Sequence, residues 1–469
     1  MERATNLTND GFVKLKPVIA GYLERIDSVK RKIVGGILTI AVSFCLIGCG
    51  PQQGDSREGN NSLNSSEVLY ADKLLTNEQM ISDYDNMWKA MKESYPFWGV
   101  LARSKPENPN YYDAIISEYR SQLLSVEAGS DQSMLKFLDI VANSLYDACG
   151  TVGHVSIINP NYYKGLGVYK DYVEEMPEVQ PWVDVIEKPE VASFYQYCDY
   201  LLTLSQEDTN EDESQGEKSK DQQEVENQSA SGNLTTKILE AGKTAYIRVN
   251  SFDDAYMEDD LPKIETFLKE VKNYENLIID IQANGGGNTA YWEEAFVRPN
   301  IAEPISSRLI RLMKDTKLTR QFYMEGYKDS LLSLEAVKND KKFKELPRED
   351  LVDLAFAREL KETTKPKGNE KLFCGKIWVL VGPSVYSSAE AFAVFCKDTG
   401  FATLVGQTTG GSDSGGPILF ELPNSHLLIQ FDVEYCLNAD GSCNQEMGTA
   451  PDIETADALQ KVLELIKRT

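Results

Sequence analysis

Apolar residues recur at helical spacing early in the chain. Thr76-Asn77-Glu78-Gln79 reads as a capping box, and Met80, Tyr84, Met87, Trp88, Met91 and Tyr95 follow on one helical face until Pro96 stops it. A second helical pattern runs from about Tyr111 to Leu124. A third carries Met134, Phe137, Leu138, Val141 and Leu145. These residues predict a small helical domain over 70–154, with the aromatics and methionines as its core. Residues 155–204 are mixed and aromatic-rich, and their pattern fixes no element. From Leu234 the period changes. Thr244–Val249, Leu277–Ile281, Ile377–Val381 and Thr403–Val405 read as strands. Leu261, Ile264, Phe267, Leu268 and Val271 mark one helix, and about Ser388 to Lys397 marks another. Strands alternating with helices predict an α/β layered domain over 234–469.

Between these regions, residues 205–233 are almost all Glu, Asp, Gln, Ser, Lys and Asn, with Val225 their only aliphatic residue larger than alanine. Such a segment cannot bury enough apolar surface to fold, so a disordered acidic linker is expected. At the other extreme, Ile33–Ile47 is an apolar run of fifteen residues preceded by Lys30-Arg31-Lys32. It is short for a membrane span and right for a signal-peptide core. Its end, Leu46-Ile47-Gly48-Cys49, resembles the lipobox of bacterial lipoproteins, which implies lipidation of Cys49. The division expected is 1–48 leader and signal peptide, 49–69 flexible tether, then the folded body outside the cytoplasm, attached to the membrane by lipid alone. An uncleaved anchor helix would place the body on the same side.

The 469 residues carry a formal net charge of -25. A surface this acidic repels phosphate backbones and anionic headgroups, which argues against nucleic-acid partners. Only two histidines occur, His154 and His426, with no CxxC or HExxH spacing, so no metal or other cofactor is expected. Cys436 and Cys443 flank the turn Asn438-Ala439-Asp440-Gly441, where a disulfide or two free thiols are both compatible with a hairpin.

Chemistry concentrates in two segments. Trp378–Glu390 runs from an apolar strand through a small-residue turn into a helix. A serine at that junction, Ser387, is either an N-cap or a nucleophile beside unpaired helix N–H groups. Asp280–Asn288 ends a strand in three glycines, whose backbone can approach a ligand closely.

Together these segments resemble the tail-specific, or C-terminal processing, serine peptidases. Asn284-Gly285-Gly286-Gly287 resembles their DxRxNxGG element and Ser387-Ser388-Ala389-Glu390 their nucleophile motif. Val405–Gly411 resembles VGExTxG, and Gly448-Thr449-Ala450-Pro451-Asp452 resembles GxxPD. Tyr95-Pro96 and Leu145-Tyr146-Asp147 before Gly153-His154 resemble the N-terminal region of the tricorn- and nisin-resistance-like branch. The resemblance implies a ClpP/crotonase-like catalytic domain acting on peptides or protein tails. Many members place a lysine base directly after the TxG element, where this chain has Ser412. Lys397, some 15 Å along the helix, is too far to replace it. The branch resemblance instead implies His154 as the base and Glu446 as its supporting carboxylate. Gly286 and Ser388 are implied as the backbone donors of an oxyanion hole. His426, in the strand-like run Leu422–Tyr435, reads as an edge or surface residue. No PDZ-like segment is evident between His154 and Leu239. A peptide-binding or sensing lipoprotein without catalysis and a carbohydrate-processing surface protein are the rival readings, and oligomeric state is left open.

Overall fold

The computed structural model describes residues 70–174, 176–210, 232–323 and 331–468. The expected leader, Cys49, the tether and most of the acidic linker lie outside them. The chain divides into two compact units, one of 1–69 with 198–216 and one of 70–197 with 217–469. In the first, the described residues continue a helix as far as Asn210, past the expected onset of the linker at 205.

The second unit contains both the N-terminal helices and the sheets. Its helices are α1 (Asn77–Ser94), α2 (Trp98–Ser104), α3 (Tyr111–Leu123) and α4 (Asp131–Cys149). Helix α1 opens on the expected capping box, with Thr76 Oγ1 accepting from Gln79 N–H, and buries Met80, Tyr84, Met87, Trp88 and Met91. The segment that sequence pattern left unassigned folds into β1 (Ser156–Ile157), α5 (Pro160–Leu166), α6 (Gln180–Ile186) and the start of α7 (Pro189–Asn210).

The unit is mixed α/β. A six-stranded sheet has the order β13-β9-β8-β4-β3-β2. Its strands are β2 (Leu234–Glu240), β3 (Thr244–Val249), β4 (Asn276–Asp280), β8 (Lys376–Val381), β9 (Thr403–Gly406) and β13 (Ile453–Glu454). From β3 through β13 all neighbours are parallel; only β2 is antiparallel. Helix α8 (Met257–Glu270) and α9 (Ser388–Thr399) pack against one face, where Ile247, Ile279, Val379, Phe392 and Leu404 are fully buried. The other face is covered by α11 (Ala458–Lys467), which follows the short α10 (Asn444–Met447).

Two antiparallel sheets complete the unit. One has the order β12-β5-β7-β6 and the other β1-β11-β10. Their members are β5 (Ile305–Met313), β6 (Leu331–Ser333), β7 (Phe356–Thr364), β10 (Ile418–Glu421), β11 (Leu428–Phe431) and β12 (Glu434–Leu437). The apolar run read as one strand is therefore two, β11 and β12. The link between them, Asp432-Val433, carries the chain from one sheet to the other.

The hairpin expected after β12 forms, with Leu437 paired to Cys443. Its disulfide does not. Cys436 and Cys443 are both free and buried. Side chains alternate along a strand, so pairing Leu437 with Cys443 leaves Cys436 on the opposite face. Among the described residues no helix is long and apolar enough to cross a membrane. Among them also, no group of three or more His, Cys, Asp or Glu side chains could hold a metal ion.

Candidate active site

Parallel strands bring their carboxyl ends to one edge, and open α/β sheets bind ligands there. At that edge β3 leads to Phe252, β4 leads to the glycines at 285–287, and β8 leads to Ser387. Ser387 begins α9 but does not cap it: its side chain makes no cap hydrogen bond. The residue holds φ 56° and ψ −125°, a conformation that costs a side chain on the order of 1–3 kcal/mol. This sharp strand-to-helix turn lifts Oγ out of the helix end, as in a nucleophile elbow.

The hydroxyl goes to His154, whose Nε2 lies 2.9 Å from Ser387 Oγ. On the far side of the ring, Nδ1 lies 2.8 Å from Asp432 Oδ2. With Nε2 accepting from the serine, Nδ1–H donates to the carboxylate. Ser412 Oγ is a second neighbour of Nδ1, at 3.1 Å. The Tyr386 ring lies 5.0 Å from the imidazole, and its hydroxyl donates to Thr151 O. Asp432 is only 1% exposed and His154 is 15% exposed, so the pair is shielded from competing water.

Strand register explains how His154 meets Asp432. In the antiparallel pair β1·β11, Ser156 faces Gln430 and Ile157 faces Ile429. Two more residues in each direction set position 154 opposite position 432, and Asp432 N–H donates to Gly153 O at 2.8 Å. Gly153, at φ 68°, allows the turn to lie against the N-terminal helices. A Cβ there would come within 2.7 Å of Tyr95 and 2.9 Å of Phe97. The Tyr95-Pro96 segment thus supports the histidine turn, and Tyr95 donates to Val152 O.

Gly286 serves a different purpose from the one expected of it. Its N–H already donates to Asn284 Oδ1 at 2.9 Å, so it is not an open oxyanion donor. Instead its missing side chain makes room: a Cβ would sit 2.8 Å from both Ser387 Cβ and Tyr386 O. Gly287 bridges Phe252 in parallel register, using Gly286 O and Asn288 N on that side. The N–H of Gly287 itself takes no part in those two bonds. Ser388 N–H lies in the first turn of α9, ahead of Ala391, whose N–H is the first to reach back along the helix, to Ser387 O.

Glu446 does not reach His154. Its carboxylate takes a forked contact from Arg103, with Nη2 at 2.7 Å and Nε at 2.8 Å, and Arg103 also grips Asp350. The carboxylate beside the imidazole is Asp432, which sequence reasoning passed over. The available signal was an aspartate between Phe431 and Val433 in the mostly apolar Leu427–Tyr435 run, where burial demands a partner. Lys397 pairs with Asp452 at 2.6 Å, and His426 Nδ1 lies 2.7 Å from Glu421 Oε1 in the turn between β10 and β11.

One more carboxyl lies on α9. Glu390 is fully buried, and its Oε1 accepts from Asn444 Nδ2 at 2.7 Å and Thr449 Oγ1 at 2.6 Å. Burial pushes its pKa up to about 7, against the pull of those hydrogen bonds. Asp413 nearby is also raised, again first by burial.

Residues 243–455 match the model of peptidase family S41. The S41-matching segment contains Gly286, Ser387, Ser412 and Asp432, whereas His154 comes from upstream of it. Among solved structures, similarity extends to a peptidase candidate from Parabacteroides merdae, at 17% identity and TM-score 0.45, covering 82% of this chain and 96% of that one. A lipoprotein from Streptococcus agalactiae is similar at 13% identity and TM-score 0.43, covering 83% and 96%. The photosystem II D1 C-terminal processing protease is similar over 50% of this chain and 52% of its own, at 17% identity and TM-score 0.32. The comparison with curated proteins gives no match.

Proposed function

We propose that this chain is a serine peptidase that cleaves peptides or protein tails through an acyl-enzyme. The observation that carries the reading is the hydrogen-bonded series Ser387 Oγ, His154 Nε2, His154 Nδ1, Asp432 Oδ2, with contacts of 2.9 and 2.8 Å. In this reading His154 takes the hydroxyl proton as Ser387 Oγ attacks the scissile carbonyl carbon. Asp432 holds the ring in the required tautomer and stabilises the imidazolium. The N–H groups of Ser388 and Gly287 receive the oxyanion. His154 then returns the proton to the leaving amine, and water attacks the acyl-enzyme by the same route in reverse. The geometry and the S41 match over 243–455 support a ClpP/crotonase-like domain using histidine where many relatives use lysine.

The test is active-site labelling with a fluorophosphonate probe. The wild type should label, whereas Ser387→Ala and His154→Ala should not, at unchanged thermal stability. Labelling of Ser387→Ala equal to wild type would refute the assignment. No labelling of the wild type, together with measurable peptide binding, would select a non-catalytic binding lipoprotein instead.

We also place the protein on the extracytoplasmic face of a membrane, held by a lipid on Cys49. The support is the order of basic cluster, apolar core, Leu46-Ile47-Gly48-Cys49 and polar tether. Incorporation of a labelled fatty acid that persists in Cys49→Ser would overturn this placement.

A further inference from the structure

Ser387 and His154 are 233 residues apart in sequence and ride on different segments, a strand-to-helix elbow and a turn after α4. Their 2.9 Å contact depends on something that references one segment to the other. Four side-chain hydrogen bonds converge on the buried pair Asn444 and Gln445, at the start of α10. Gln445 Oε1 accepts from Gly153 N–H at 3.0 Å, the residue before His154. Asn444 Oδ1 accepts from Asp413 N–H at 2.8 Å, directly after Ser412, whose hydroxyl touches the imidazole. Asn444 Nδ2 donates to Glu390 Oε1 at 2.7 Å, within the first turn of the helix that Ser387 begins. The same nitrogen donates to Asn438 Oδ1 at 3.0 Å. Asn444 is 1% exposed and Gln445 8% exposed, so water does not substitute for these bonds.

We propose that Asn444 and Gln445 are positioning residues that fix the Ser387–His154 separation, an inference that rests on the peptidase reading above. Neither touches the reacting atoms. An amide both donates and accepts from one rigid group, which is what lets Asn444 tie the nucleophile helix and the Ser412 loop together. Removing the Gln445 acceptor leaves a buried Gly153 N–H unpaired, and the turn relaxes to relieve it. A shift of about 1 Å in such a constellation can cost on the order of 100-fold in rate.

Fluorophosphonate labelling rates, peptide kcat and KM, and thermal midpoints are measured for wild type, Ser387→Ala, Gln445→Met, Gln445→Glu and Asn444→Asp. Gln445→Met should lose about 10- to 100-fold in labelling rate and in kcat, with KM within about twofold. Gln445→Glu keeps an acceptor oxygen and should recover most of the wild-type rate. Asn444→Asp keeps the acceptor for Asp413 N–H and loses the donor to Glu390; it should also lower kcat without raising KM, which tests the idea if the methionine variant does not fold. Wild-type rates in a folded Gln445→Met, or a Gln445→Glu no better than Gln445→Met, would overturn the proposal while labelling lost in Ser387→Ala left the peptidase reading standing. If the wild type itself does not label, both readings fall together.

Discussion

Replacing Glu390 by glutamine should make the protein more resistant to alkaline pH. The carboxyl is fully buried, and its Oε1 is held by Asn444 and Thr449, with Asp413 the charged group nearby and Thr409 a further hydrogen-bonding neighbour. Its Oε2 has no hydrogen-bond partner among the described residues. Burial therefore favours the protonated form and raises the pKa from 4.5 to about 7. Between those values the folded chain binds a proton that the unfolded chain has released, so stability falls as pH rises through the window. The contribution is fully present below 4.5 and lost above about 7. At roughly 1.4 kcal/mol per pH unit between them, the loss is about 3 kcal/mol. Glutamine keeps an Oε1 acceptor and carries no charge at any pH. The stability of Glu390→Gln relative to wild type should therefore rise by about 3 kcal/mol between pH 4.5 and 8.5. Urea unfolding at a series of pH values measures this. Groups distant from Glu390 contribute equally to both proteins and cancel in the difference. Parallel pH curves, or a wild type that gains on the variant at high pH, would refute the reasoning.

Asp432→Asn should lower kcat on the order of 10⁴-fold while leaving the fold intact, because the amide favours the wrong imidazole tautomer; a loss under tenfold, measured on a peptide substrate, would remove Asp432 from the proton path. Gly286→Ala should abolish labelling, since the new Cβ would lie 2.8 Å from Ser387 Cβ at φ 112°. An active, stable alanine variant would show that the elbow has room to move. Lys397→Met should keep wild-type kcat, because that ammonium pairs with Asp452; a large loss of kcat would reinstate it as the base. Finally, reductant should leave the thermal midpoint unchanged if Cys436 and Cys443 stay as free thiols, and a drop of several degrees would indicate the disulfide after all.

Local pattern was enough for much of this molecule. Strand β3 spans the residues expected of it, and α1 begins at the capping box read from Thr76 to Gln79. Such features are decided within a few residues, by side-chain period and by caps. Ser387, the glycine run and His154 could be picked out because each belongs to a short motif. Residues 155–204 were opaque, since their short helices carry too few turns to show a period. The chain also determined the residue types available for chemistry: two histidines, no spaced metal ligands, and no lysine at Ser412. What it did not determine was which carboxylate meets the imidazole. Glu446 lies near a motif yet binds Arg103, whereas Asp432 lies in a strand-like run and binds His154. The same limit hid the engaged N–H of Gly286 and the opposed faces of Cys436 and Cys443. Those outcomes rest on the antiparallel register of β1 with β11, on a sheet change at Asp432, and on which way a backbone group points. Each is set by pairing between residues that are distant in the chain, and only the folded structure brings them together.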